Sequence, residues 1–206
     1  DLDRVEEEAK TNFTCEVLSL QANTGFAKAN NIGIDRLRDY DFIALLNPDA
    51  YPKNDWLEKL VLAAQNYPDY GFFGSMQLQE DECIIDGTGD CLSFTGQPFR
   101  RDYSKKVSTV SRISEPIFSA CAAAALYRTH ALIEAGGFDE DFFCYVEDVD
   151  LGFRLQLLGY PCWFVSDAKV THLGSTSTGK RSSFSIYYGQ RNVVFNFLKN
   201  MPIMLL

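Results

Sequence analysis

Three carboxylates crowd four positions of this chain, at Glu147, Asp148 and Asp150, directly behind the aromatic run Phe142-Phe143-Cys144-Tyr145. Groups so placed can ligate a metal, take up a proton, or cap the helix that starts there. On a helix, Glu147 and Asp150 are neighbours three residues apart, whereas Asp148 and Asp150 lie about 200° apart and face opposite ways. The three cannot all serve one site. Asp150 has Arg154 four residues on, acid before base, which suits a structural ion pair. Asp148, with Glu147 beside it, is left for chemistry.

Two distant residues could complete a site. Asp49 closes Asn47-Pro48-Asp49 behind the apolar run Phe42–Leu46. Ligands of α/β sheets bind beyond the carboxyl ends of strands, and a carboxylate there can hold a divalent cation on a diphosphate. The same residue also suits an Asx turn after proline. His172 follows the strand-like Ala168-Lys169-Val170-Thr171 and precedes a Gly/Ser-rich stretch. It reads as a metal ligand, a phosphate contact or a surface histidine. A third block, Asn23-Thr24-Gly25-Phe26-Ala27-Lys28-Ala29-Asn30-Asn31-Ile32-Gly33, has a helical pattern rich in Asn and Gly. Those residues cost helix stability, so close packing or ligand contact must account for them. The chain has no GxGxxG fingerprint, Walker A loop or GxSxG elbow.

The elements that must carry these residues begin as β-α-β-α-β. Residues 15–20 read as a strand and 25–38 as a helix with Asn23 or Thr24 as N-cap. Phe42–Leu46 reads as a strand buried on both faces. A helix with Trp56, Leu57, Leu60, Val61 and Ala64 at helical spacing stops at Pro68, and residues 70–78 form the next strand. This alternation is the signature of a largely parallel sheet covered by helices. The middle differs. Residues 79–115 offer short strand candidates at 83–85 and 91–95, and a mobile loop around 100–114. Residues 117–127, full of Ser, Ala and Cys, read as a buried strand that leaves room for something to approach, with a helix as the competing reading. A helix over 128–135 is stopped by Gly136-Gly137. The acidic helix spans about 147–158. Strands at 162–165 and 169–172, a Gly/Ser/Thr loop over 174–179 and an amphipathic helix over 184–199 follow. There is no internal repeat or linker, so residues 1–206 read as one domain.

Composition narrows the partners. The net charge of −9, without a long basic cluster, argues against nucleic acid. A phosphorylated small molecule stays open if a metal supplies the positive charge. The six cysteines form no CxxC pair, which favours reduced, partly buried thiols of a cytoplasmic protein over a disulfide framework or a zinc site. No signal peptide and no apolar run of transmembrane length is visible. A charged stretch over 1–10 without a start methionine, and an apolar run over 201–206, read as a fragment incomplete at both ends. The apolar run could open a membrane-associated segment.

Taken in order and spacing, three blocks resemble the family 2 glycosyltransferases, most closely the bacterial rhamnosyltransferase-like branch. They are Asn23-x-Gly25-Phe26-Ala27-x-Ala29-Asn30-Asn31-x-Gly33, then Leu45-Leu46-Asn47-Pro48-Asp49, then Gly136-Gly137-Phe138-Asp139-Glu140 through Tyr145-x-Glu147-Asp148-x-Asp150-Leu151, Arg154 and Gly159-Tyr160 to His172. The resemblance implies a GT-A fold, a Rossmann-like α/β domain with a mixed, mainly parallel sheet flanked by helices. It implies that the family's first strands and much of its base and ribose pocket would precede Asp1. It implies Mn²⁺ or Mg²⁺, with Asp49 and His172 as the metal side. The general base would be Asp148 of the Glu147-Asp148 pair. Asn23, Gly25, Asn30, Asn47 and Asp49 would face the nucleotide-sugar donor, a dTDP- or UDP-sugar. The implied reaction is inverting transfer of a sugar, rhamnose by branch, to a glycan or lipid-linked acceptor in the making of a bacterial envelope polysaccharide. The implied setting is the cytoplasm, at the inner face of the plasma membrane, with peripheral membrane association. Such transfer needs one base for the acceptor hydroxyl and a metal for the leaving diphosphate, not the two flanking carboxyls of a glycosidase. The alternative is a catalytically inactive domain of this fold that binds sugar or a partner. Phe142, Phe143 and Tyr145 could stack on a sugar or pack the core.

Overall fold

A computed structural model describes residues 15–110, 113–174, 182–202 and 204. The expected charged stretch over 1–10, most of the Gly/Ser/Thr loop and part of the terminal apolar run lie outside the described residues.

The first helix, α1 (Gly25–Arg36), leads into β1 (Phe42–Leu46) and the short β2 (Ala50–Pro52). Helix α2 (Trp56–Asn66) ends just before Pro68 and returns the chain to β3 (Phe72–Leu78). Four strands of three residues follow: β4 (Ile85–Gly87), β5 (Asp90–Leu92), β6 (Pro98–Arg100) and β7 (Glu115–Ile117). Then come β8 (Ala124–Arg128), α3 (Thr129–Glu134), α4 (Glu147–Leu157), the long β9 (Cys162–His172) and α5 (Ser183–Asn200).

The main sheet is mixed, in the order β1-β8-β3-β9-β2, with β4 on β3 and β7 on β9. Strands β1, β3 and β9 share one direction, and β8 runs against them between β1 and β3. One apolar face packs Ala27, Ile34, Phe72, Leu132, Leu151 and Leu155 under α1, α3 and α4. The opposite face packs Trp56, Leu60, Phe73, Leu126, Trp163 and Val170 under α2. The result is a helix–sheet–helix sandwich, the layering that helical crossovers impose on such a sheet.

Five expectations are corrected. Residues 15–20 form no strand; they alternate between half-buried and exposed, and no described strand pairs with them. Strand β1 is buried on one face only, at Ile43 and Leu45, because Ala44 and Leu46 look outward from a sheet edge. Residues 117–127 are not one strand: the chain turns between β7 and β8, with Asn47 N–H bonded to Ala123 O and Ala124 N–H to Cys121 O. The two strands expected at 162–165 and 169–172 are one, kinked where its pairing jumps from Ser75↔Val165 to Met76↔Lys169. Finally, Arg100 is not in a loop but ends β6, paired across a hairpin with Asp90.

Candidate active site

The metal side is built by backbone pairing. The turn after β1 carries Asp49, whose carbonyl accepts from Leu173 N–H at 3.0 Å. Strand β2 then pairs antiparallel with the end of β9, so that Ala50 faces His172. Asp49 Oδ1 and His172 Nε2 are thereby brought to 3.5 Å, both side chains largely buried. On the other ring nitrogen, His172 Nδ1 lies 2.9 Å from Asp86 Oδ2. Burial pushes the Asp86 carboxyl up, but its bond to His172 and the charge of Arg100 outweigh that and hold it low. With a proton on Nδ1 donated to Asp86, the Nε2 lone pair would face the Asp49 carboxylate. Two lone-pair donors at that separation fit a divalent cation, with Asp86 behind the histidine as its orienting partner.

The base side is built by strain and clamping. Immediately before α4, Phe143, Tyr145 and Val146 all have left-handed φ, at 64°, 68° and 68°. Non-glycine residues there cost on the order of 1–3 kcal/mol each, and such strain persists only where surroundings enforce it. The enforcement comes from α5. The fully buried Asn192 donates through Nδ2 to the carbonyls of Phe142 (2.9 Å), Cys144 (2.8 Å) and Tyr145 (2.7 Å). Arg191 donates to the carbonyls of Asp141 and Phe142. In the aromatic run, Phe142 is buried and Phe143 stacks on Tyr188 at 5.1 Å.

The strained turn releases the chain into α4 with its acids separated. Asp150 is fully buried and bonded to Arg154, Lys199 and Asn200, a structural network as the helix geometry requires. Glu147 is buried, and its Oε2 has no hydrogen-bond partner. Burial first, then the charge of Asp148, pushes its carboxyl well above the usual range, so it is held neutral. Asp148 is half-buried and accepts from Ala122 N–H (3.1 Å) and Val149 N–H (2.9 Å).

Between the two sides lies a hairpin whose chemistry sequence reading missed. Asp90, Cys121 and Asp148 bring one ligating atom each to within 4.8 Å of one another. The guanidinium of Arg100 already occupies their flank, with Nη2 2.8 Å from Cys121 Sγ and Nε 3.4 Å from Asp90 Oδ1. Its Nη1 reaches Asp86 at 3.0 Å. Burial pushes the Asp90 carboxyl up to about 6; Arg100 opposes this and Asp148 adds to it. A continuous polar path therefore runs from Asp49 and His172 through Asp86 and Arg100 to Asp90 and Asp148. The signal that could have revealed it is Asp86-Gly87-Thr88-Gly89-Asp90, two acids spaced by glycines in an otherwise polar stretch.

The Asn/Gly-rich helix is spent mainly on packing. Asn23 Oδ1 accepts from Gly25 N–H, and Asn30 donates to Phe26 O within its own helix. A Cβ on Gly25 would lie 2.5 Å from Phe143 O, so only glycine admits this approach. The long-range anchor is Asn31, which bonds both the N–H and the carbonyl of Phe138. The hydrogen bonds of Asn23 and Asn30 stay local to α1 and its start. Asn47 adjoins the Asp49 side through the turn to Ala123.

Comparison with known proteins agrees with this architecture. The model of the family described as "Glycosyltransferase like family 2" matches residues 3–192. N-acetylglucosaminyl-diphospho-decaprenol L-rhamnosyltransferase of Mycobacterium tuberculosis is 27% identical over 187 residues, 80% of this chain and 60% of that protein. Rhamnosyltransferase WbbL of Escherichia coli K12 is 27% identical over 166 residues, 72% of this chain and 60% of that protein. The chain thus spans about 60% of the length of these relatives. Among solved structures, GalNAc-T7 with UDP, GalNAc and Mn²⁺ superposes with a TM-score of 0.69 over 95% of this chain and 38% of its own, at 13% identity. The mannosyltransferase PcManGT of Pyrobaculum calidifontis, with GDP-Man and Mn²⁺, gives 0.62 over 96% of this chain and 50% of its own, at 14% identity. These two share the GT-A fold with it.

Proposed function

The chain belongs to the glycosyltransferase-like family 2, and from that premise we propose that it is the core of an inverting, metal-dependent transferase. It moves a sugar, rhamnose by the names of its relatives, from a dTDP- or UDP-sugar to a hydroxyl of a lipid-linked glycan. The observation that carries this reading is the polar path joining the Asp49–His172 pair to Asp148.

Asp148 takes the proton of the acceptor hydroxyl as that oxygen bonds to the anomeric carbon. The bond from that carbon to the diphosphate oxygen breaks, and the configuration inverts because attack is opposite the leaving group. Asp49 and His172 would hold Mn²⁺ or Mg²⁺, and the ion would supply positive charge for the departing diphosphate. Asp86 keeps the His172 ring aimed. Glu147, neutral, spares Asp148 a second negative charge beside it. Asn47 and Asp49 line the donor side at the end of β1; Asn23, Gly25 and Asn30 act on it through the packing of α1. Among the described residues no helix is long and apolar enough to cross a membrane. We assign the protein to the cytoplasmic face, where peripheral association would meet a lipid-linked acceptor.

The test is donor turnover by the intact protein with dTDP-rhamnose and a prenyl-diphosphate-linked sugar, with Mn²⁺ and then with a chelator. We expect turnover that the chelator abolishes. Metal-independent turnover would remove the roles given to Asp49 and His172. Acceptor binding without any donor turnover would favour the non-catalytic, sugar-binding reading.

A further inference from the structure

Arg100 touches both sides of the site at once. It reaches Asp86, the residue behind His172, and Asp90, the carboxylate beside Asp148, while its third contact is the Cys121 thiol. Around the Asp90–Asp148 pair, Asp86 lies on β4, Arg100 on β6 and Glu147 on α4. Cys121 and Tyr127 face the same pair and Cys162 faces Asp90, and burial pushes all three up from their ordinary values. Among the described residues, Arg100 is the cation bonded to both Asp86 and Asp90.

The fold makes room for it. Gly87, at the end of β4, leaves the space its side chain runs through: a Cβ there would lie 2.5 Å from Arg100 Cδ. A planar guanidinium can bond three acceptors in fixed directions, which a lysine ammonium on the same strand could not reproduce.

We propose that Arg100 is a positioning residue: by bonding Asp86 and Asp90 at once it ties the metal side to the base side and places its positive charge beside the Asp90–Asp148 carboxylates that meet the acceptor hydroxyl. This rests on the reading of Asp148 as the base. Two carboxylates this close resist being ionised together, and an adjacent cation shifts that balance toward the charged form.

The experiment is the pH–rate profile of donor turnover by the intact protein with saturating Mn²⁺, for the parent, Arg100→Met, Arg100→Lys, Gly87→Ala and Asp90→Asn. Losing the positive charge should move the acid limb of Arg100→Met upward by on the order of one pH unit. Gly87→Ala, which displaces the arginine without removing a charge, should move it the same way by less. Arg100→Lys should return most of the shift. Asp90→Asn removes the like charge and should move the limb down. This opposition of sign is what a merely structural role cannot produce. If Arg100→Met does not fold, Gly87→Ala and Asp90→Asn read the same opposition. An acid limb that stays at the parent's pH in these variants, with only the rate lowered, overturns the proposal. A parent that turns over no donor overturns the glycosyl-transfer reading itself, so the two failures are distinguishable.

Discussion

Asp49 and His172 are held together by a backbone ladder, whereas Asp148 depends on side chains that reach in from a distant helix. The β2–β9 pairing fixes the first pair with main-chain hydrogen bonds. Asp148, the proposed base, follows three left-handed residues that Asn192 and Arg191 keep in place. A ladder tolerates side-chain change, since its bonds belong to the main chain. A clamp made of one buried amide does not. The comparison teaches that the metal side should be robust in geometry and sensitive only in its ligands, and that the base side should be sensitive at residues touching no substrate.

The largest way to break this contrast is Asn192→Ala. It deletes the two amide hydrogens shared among three carbonyls, of which only Phe142 O keeps other donors, Arg191 and Cys144 N–H. We expect a loss of about 3 kcal/mol of stability in a denaturant titration, and turnover falling further than stability alone accounts for. A variant as stable and active as the parent would mean that the strained turn supports itself.

On the metal side the corresponding change, Asp86→Asn, leaves the ladder intact and removes the charged partner of His172 and of Arg100. Mn²⁺ binding by calorimetry should weaken roughly ten- to hundred-fold, with the melting temperature little moved. Equal losses of affinity and stability would mean that Asp86 is structural.

The smallest effect is a pH dependence confined to the base side. Asp90 and Glu147 have folded pKa values raised above their ordinary 3.8 and 4.5. A raised carboxyl binds its proton more tightly in the folded chain. Its stabilising contribution is full below the ordinary pKa and is lost as pH rises through the folded one, up to about 6 for Asp90. Asp90→Asn should therefore gain stability relative to the parent between about pH 4 and 7, and Glu147→Gln at higher pH. Melting curves at pH 4 and pH 8 check the sign. A gain that is larger at the acid end would contradict it.

Much of this was legible in the sequence. The helices read at residues 25, 56, 147 and 184 are there within a few residues, because each has an apolar face long enough to show its period. The separation of Asp150 from Asp148 followed from helix geometry alone. What stayed hidden was long-range or short. Strands β4, β5 and β6 have three residues each, too few to show alternation, so Arg100 read as loop. Asn192 looked like any polar residue on an amphipathic helix, since its partners are carbonyls nearly fifty positions away. The Asn-rich helix was visible, but its anchor is Asn31, and its glycine serves a contact with Phe143 that only the folded chain reveals.

The account turns on Asp148 as the base, and Asp148→Asn in the intact protein tests it most directly. Turnover should fall roughly hundred- to ten-thousand-fold, with the melting temperature and Mn²⁺ affinity close to the parent's. Turnover within a few-fold of the parent, in a variant that folds and binds metal normally, would contradict the account.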